Sequence, residues 1–151
     1  MSRIDDVINV AGHRLETGRI EEVVNNHPEV VECAVIGLND QMKGQVPVAL
    51  VVTKHYKDHH EEDNRCRITM ANEMNLEVRE QIGAFSRLEG ILYVDRLPKT
   101  RSGKILRRTM KDILNGDEYK EPATIDDVSV LKEIEQFSLA KGYDEHVYLP
   151  N

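Results

Sequence analysis

Two runs rich in β-branched residues, Val30–Gly37 (VVECAVIG) and Val46–Thr53 (VPVALVVT), constrain the fold more than any other feature of this chain. Each has the length of a strand. The first is apolar enough to be buried. The second carries Pro47, which lacks a backbone N–H and suggests an edge or a strand start. Between them Leu38–Gln45 is polar, contains Lys43-Gly44, and reads as a loop.

The rest of the chain supplies what covers these strands. Val7–Val10 and His13–Leu15 flank Ala11-Gly12, which reads as a hairpin with a tight turn. Thr17 suits a helix cap, with Ile20, Val23 and Val24 on one face of a helix running to about Asn26 and Pro28 beyond its end. Apolar residues at 68, 71, 74, 78 and 82 form a helical stripe over Ile68–Ile82. Ile91–Val94 is a third strand. Ile105, Leu106, Met110, Ile113 and Leu114 open a further helix, which Gly116 stops. This order predicts an α+β domain: a small antiparallel or mixed sheet of about three strands covered by helices, preceded by an N-terminal β-hairpin. Residues 1–116 form the domain in this reading, and 117–151 an acidic tail. Thr124–Leu139 in that tail reads as a short capped helix, free to pack on the domain or to remain loose.

Composition excludes several classes. The 151 residues fit one domain that needs neither disulfides nor metal to bury a core. The net charge of −7 argues against broad nucleic-acid binding, and no apolar run reaches membrane-spanning length. The N-terminus carries no charged-then-apolar signal sequence. Cys33 and Cys66 are too few for a disulfide framework, and Cys33 reads as a small core residue. His55–Asn64 (HYKDHHEEDN) is rich in metal-capable types. A polar run between a strand and a helix is nevertheless ordinarily a solvated loop, and no metal is expected there.

Against the acidic background, Arg96–Lys111 holds seven basic residues and no acidic one. Local charge of the opposite sign to the whole marks a place where an anion can sit. Lys104 follows Gly103 and precedes the apolar helix start, so it suits presentation to a carboxylate or phosphate on a loop backed by a helix N-terminus. A solvated basic turn is the plain alternative. A nucleotide phosphate loop is excluded, because Pro98 and Ile105 stand where that motif needs glycine and Ser or Thr.

The stretch Leu97–Arg108 (LPKTRSGKILRR) resembles the lysine-bearing loop of the AMP-forming acyl-CoA synthetases, in the form found in acetyl- and propionyl-CoA synthetases. Arg3–Leu15 (RIDDVINVAGHRL) resembles the hinge and first hairpin of that family's C-terminal domain. Gly37–Pro47 and Val78–Gly83 fall between them in the family's order, so the resemblance covers roughly residues 1–139.

The resemblance implies roles. Lys104 would be the cation that stabilises attack of a carboxylate on the α-phosphorus of ATP, and Asp5 the hinge, within about residues 3–6. Arg3 and Arg14 would contact the ribose and phosphate side of the adenylate. Gly12 would border the thiol arm of coenzyme A, and Arg79 would meet its 3′-phosphate, which suits a guanidinium. ATP and AMP, coenzyme A and acetate or propionate are the implied ligands. Magnesium is expected in a large N-terminal domain that these residues lack, as is the rest of the ATP and acyl site. That missing domain is the implied partner, so the chain alone is expected to make no thioester. Cytoplasm or mitochondrial matrix is the implied location, and Lys104 is a candidate for charge-removing acetylation.

Two other classes stay open. One is the corresponding domain of another adenylating enzyme, such as a medium-chain acyl-CoA synthetase or a peptide-synthetase adenylation domain. The other is a non-catalytic fragment that binds coenzyme A or a protein through its basic loop.

Overall fold

The computed structural model describes residues 7–54, 64–139 and 147–148. Arg3, Asp5 and residues 55–63 of the histidine-rich run lie outside them. Strands β1 (Val7–Val10) and β2 (His13–Glu16) form the expected hairpin, followed by helix α1 (Thr17–Asn25). Then come β3 (Val30–Asp40), β4 (Gly44–Thr53), α2 (Asn64–Gln81), a 3-10 turn (Ala84–Ser86), β5 (Gly90–Tyr93), α3 (Arg107–Leu114), α4 (Ser129–Leu139) and β6 (Val147–Tyr148).

The class is α+β, as expected, and the three expected strands sit within a mixed six-stranded sheet. Its order is β2-β1-β4-β5-β6, with β3 paired to β4. All pairs are antiparallel except β4 with β5. Both faces of the three central strands are covered, which is why the sequence runs apolar instead of alternating. Cys33, Val35, Ala49, Val51, Ile91 and Tyr93 point to α1 and α2. Their neighbours Ala34, Ile36, Leu50 and Leu92 point to α3 and α4 on the opposite face. The period of two places successive residues in different cores.

Four local expectations are corrected. The loop over Leu38–Gln45 shrinks to a tight turn at Gln41–Lys43. The Asp40 carboxylate accepts the N–H groups of Met42 and Lys43, and left-handed Gly44 (φ 85°) completes the reversal, so both strands run on to meet it. Glu16, not Thr17, holds the N-cap position of α1, and Thr17 is the buried first helical residue. β4 is an interior strand in spite of Pro47. That proline falls between the Val10 pairing at Gly44 and the β5 pairing that begins at Val48, where no ladder requires its missing N–H on that side. Finally, α3 starts at Arg107, because Ile105 is held in a bridge to Lys99.

Gly116 stops α3 as expected. With φ at 77° it lets its own N–H reach the carbonyl of Ile113 and that of Asp117 reach Asp112, a Schellman ending. The chain after it packs on the domain. Ile125, Val130, Leu131 and Ile134 are all buried in the core shared with α3 and the sheet. Asp127 accepts from both the backbone and the hydroxyl of Ser129 and caps α4, so the helix begins five residues later than the pattern suggested.

The hairpin has a core of its own, Ile8, Val10 and Leu15. It reaches the main sheet because Gly37 has no side chain: a Cβ there would overlap Ile8 Cγ2. Close approach, not backbone conformation, requires glycine at 37.

Candidate functional site

The seven basic residues of 96–111 divide into two groups. Arg96 pairs with Asp127 at 2.7 Å, Lys99 with Glu32 at 2.6 Å, and Arg107 with Glu21 through a bidentate contact of 2.6 and 3.0 Å. The Arg107–Glu21 pair fastens α3 to α1 past β3, from one face of the sheet to the other. Arg101, Lys104, Arg108 and Lys111 have no carboxylate partner among the described residues. The excess positive charge available to an anion is therefore about half what the sequence displays.

Lys104 lies on an exposed loop, Arg101–Lys104, that is closed on itself and does not open a helix. The Thr100 N–H donates to the Lys104 carbonyl (2.8 Å), the Gly103 N–H to the Thr100 carbonyl (2.9 Å), and the Lys104 N–H to Thr100 Oγ1 (3.1 Å). Thr100 Oγ1 also lies 2.9 Å from Ser102 Oγ. Gly103 is left-handed at φ 91°, the conformation that closes so small a loop without a Cβ penalty. A cation on such a loop has a fixed backbone and a free side chain.

A second cluster lies at the hairpin. Ala11 (φ 49°) and Gly12 (φ 87°) both have positive φ, the geometry of a two-residue type I′ turn. The Ala11 N–H donates to the Lys43 carbonyl at 2.8 Å, docking this turn on the β3–β4 turn. Space around Gly12 is open: nothing lies within 4 Å of where its Cβ would be. His13 stacks on Phe85 with ring centroids 4.0 Å apart and an interplanar angle of 3°. Phe85 follows the end of α2, whose last turn carries the exposed Arg79. The stack thus brings the segment bearing Gly12 and that bearing Arg79 to one end of the sheet. Arg14 is exposed on β2, opposite Asn9, and no described contact joins it to Lys104.

The lysine loop and the glycine turn occupy opposite ends of the same strand pair. The turn docks at Gly44, paired with Asp40; the lysine loop is anchored by Lys99 at Glu32, paired with Val52. Gly44 and Val52 are separated by roughly 25 Å of extended strand. Two groups that far apart on a rigid sheet cannot face one reacting centre in a single orientation.

The His13–Phe85 stack is not legible in the sequence, because the two residues lie far apart in the chain and no periodicity joins them. The buried thiol of Cys33 is a core group, its pKa pushed up to about 12 chiefly by burial and then by the nearby Glu21 carboxylate. Among the described residues no three His, Cys, Asp or Glu side chains are grouped to hold a metal ion. No described helix is long and apolar enough to cross a membrane.

Fold and site together define a sheet-based domain with a cationic loop at one end and an open glycine turn at the other. The chain belongs to the AMP-binding enzyme C-terminal domain family, whose model matches residues 19–104. It is 53% identical over 136 residues to acyl-CoA synthetase short-chain family member B, mitochondrial, of Dictyostelium discoideum, covering 89% of this chain and 19% of that protein. It is 46% identical over 136 residues to propionate–CoA ligase of Escherichia coli, covering 90% of this chain and 21% of the ligase. The crystal structure of Brucella canis acyl-CoA synthetase superimposes with a TM-score of 0.62 at 32% identity, over 74% of this chain and 19% of that one. The chain is thus homologous to AMP-forming ligases and spans about a fifth of their length.

Proposed function

We propose that this chain is the mobile C-terminal domain of an AMP-forming short-chain acyl-CoA synthetase with acetate or propionate as substrate. The observation that carries the proposal is the placement of the Lys104 loop and the Gly12 turn at opposite ends of one strand pair. In the adenylating orientation, Lys104 stands between the carboxylate and the α-phosphate of ATP. The carboxylate oxygen forms a bond to phosphorus, pyrophosphate leaves, and the ammonium offsets the charge that develops. A preorganised cation in a water-excluded site is worth about 3 kcal/mol. Rotation about a hinge at Asp5 then withdraws Lys104 and presents the other end of the domain.

In the second orientation the thiol of coenzyme A passes the Ala11-Gly12 turn, displaces AMP from the acyl carbon, and leaves the thioester. Arg79 holds the 3′-phosphate of coenzyme A; Arg3 and Arg14 hold the nucleotide side of the adenylate. ATP, the acid and magnesium are held by the preceding domain, so the 151 residues alone form no thioester. Residues 1–116 act as the lid and 117–151 as its acidic extension, in the cytoplasm or the mitochondrial matrix. Acetylation of Lys104 removes its charge and blocks only the first step.

The test is acid-dependent exchange of pyrophosphate into ATP by the intact two-domain enzyme. Exchange with acetate or propionate that falls at least a hundredfold in Lys104→Ala supports the proposal. Undiminished exchange in that variant overturns it, as does tight coenzyme A binding by the 151-residue chain with no ligase in the intact protein.

A further inference from the structure

The family model ends its match at Lys104, yet the chain beyond it returns to the lysine loop. Thr100 forms a β-bridge with Ile125. The Arg101 N–H donates to the Thr124 carbonyl (2.9 Å), and the Asp126 N–H to the Lys99 carbonyl (2.9 Å). Ile125 between them is buried in the core on the α3–α4 side, 7% exposed, so the bridging segment is pinned from beneath. At its far end Asp127 caps α4 and meets Arg96 at 2.7 Å, which ties the segment to the stretch leading into the loop.

We infer that Thr124–Asp126 is a strap, and that with Thr100 it positions the loop that carries Lys104. The inference rests on the proposed role of that lysine. A short loop closed by its own hydrogen bonds has a defined shape but no defined direction. Direction comes from the bridge on either side of it, Lys99 with Ile105 and Thr100 with Ile125. Fixing direction matters because a misplacement of about 1 Å costs a charge-stabilising group much of its effect. Thr100 and Asp126 touch no substrate in this account; they are positioning residues.

Two variants of the intact enzyme separate the strap from general stability. Asp126→Pro removes the N–H that reaches Lys99. Thr100→Val removes the oxygen that accepts the Lys104 N–H, and Thr100→Ser restores it. The strap predicts faster tryptic cleavage after Arg101 or Lys104 in Asp126→Pro and Thr100→Val, with amide exchange in β3 and β4 unchanged. It predicts at least a tenfold fall in pyrophosphate exchange in both variants, recovery in Thr100→Ser, and conversion of supplied acyl-adenylate to thioester at the parent rate. Unchanged cleavage, or equal loss in both half-reactions, overturns the strap. Lys104→Ala assayed beside them keeps the two ideas apart. If that variant retains exchange, the functional reading has failed, and the strap is then judged by the cleavage and amide-exchange results.

Discussion

Replacing Gly37 with alanine is expected to detach the hairpin while leaving the rest of the domain folded. A Cβ at this position enters the van der Waals envelope of Ile8 Cγ2 and comes 3.2 Å from Ile8 Cβ and from Gln45 Nε2. Ile8 is fully buried, so it has nowhere to retreat within the present packing. Overpacking of this kind costs about 1–3 kcal/mol. Against it stands a short junction: the Val10–Gly44 pairing of β1 with β4, which includes the Ala11 N–H to the Lys43 carbonyl, and the Asn9 N–H to Gln45 Oε1, each hydrogen bond worth about 1 kcal/mol net. Burial of Ile8 adds about 2–3 kcal/mol. A strain of about 2 kcal/mol is thus comparable to half of what holds the hairpin down, and raises its open population roughly thirtyfold. Amide exchange is the assay. Protection over Val7–Glu16 should fall by about that factor in Gly37→Ala, with protection in β3, β4 and α2 retained. Gly37→Ala combined with Ile8→Leu, which removes the branch that clashes, should recover part of it. Uniform loss of protection across the domain, or none at all, would refute the close-approach argument.

Three other outcomes follow from the same packing. Arg107→Ala leaves the Glu21 carboxylate, 9% exposed at its side chain, without its bidentate partner, and should lower unfolding stability by about 3 kcal/mol in denaturant titration. Ala11→Asn replaces a residue that disfavours positive φ with one that tolerates it, and should raise the unfolding midpoint by the equivalent of roughly 0.5–1 kcal/mol. The raised pKa of Cys33 gives stability that is complete below the unfolded thiol's value of 9.0 and is lost as pH rises toward about 12. A thiol reagent at pH 8 should therefore label Cys33 only at the rate at which the domain opens.

What the sequence made legible was what local pattern and chemistry determine. β-branched runs specify strands whatever lies beyond them, so β3, β4 and β5 were found within a few residues. Glycine at a left-handed position is readable for the same reason, as at Gly12 and Gly116. Boundaries failed where a side chain competed with a propensity. Asp40 drew the β3–β4 turn tight, and Ile105 was taken into a bridge before α3 could begin. The pairing of Thr100 with Ile125, the His13–Phe85 stack and the dependence of Ile8 on Gly37 join residues distant in the chain, and no periodicity carries such information. The basic run illustrates the same limit in charge: Arg96, Lys99 and Arg107 are occupied structurally, and only the folded chain separates them from Lys104. Lys104 itself stands out by its basic surroundings and its place after Gly103, a pattern equally compatible with an ordinary turn, and its chemical role comes from the resemblance alone.

A division of labour between the two ends of the β3–β4 pair is what we propose, and a crossed measurement tests it. Both half-reactions, pyrophosphate exchange and conversion of supplied acyl-adenylate to thioester, would be timed in the intact enzyme with Lys104→Ala and with Gly12→Leu. The leucine side chain projects into the open space beside the hairpin turn. Opposite losses are expected: exchange falls at least a hundredfold in Lys104→Ala while thioester formation persists, and thioester formation falls in Gly12→Leu while exchange persists. Loss of the same half-reaction in both variants would contradict that division.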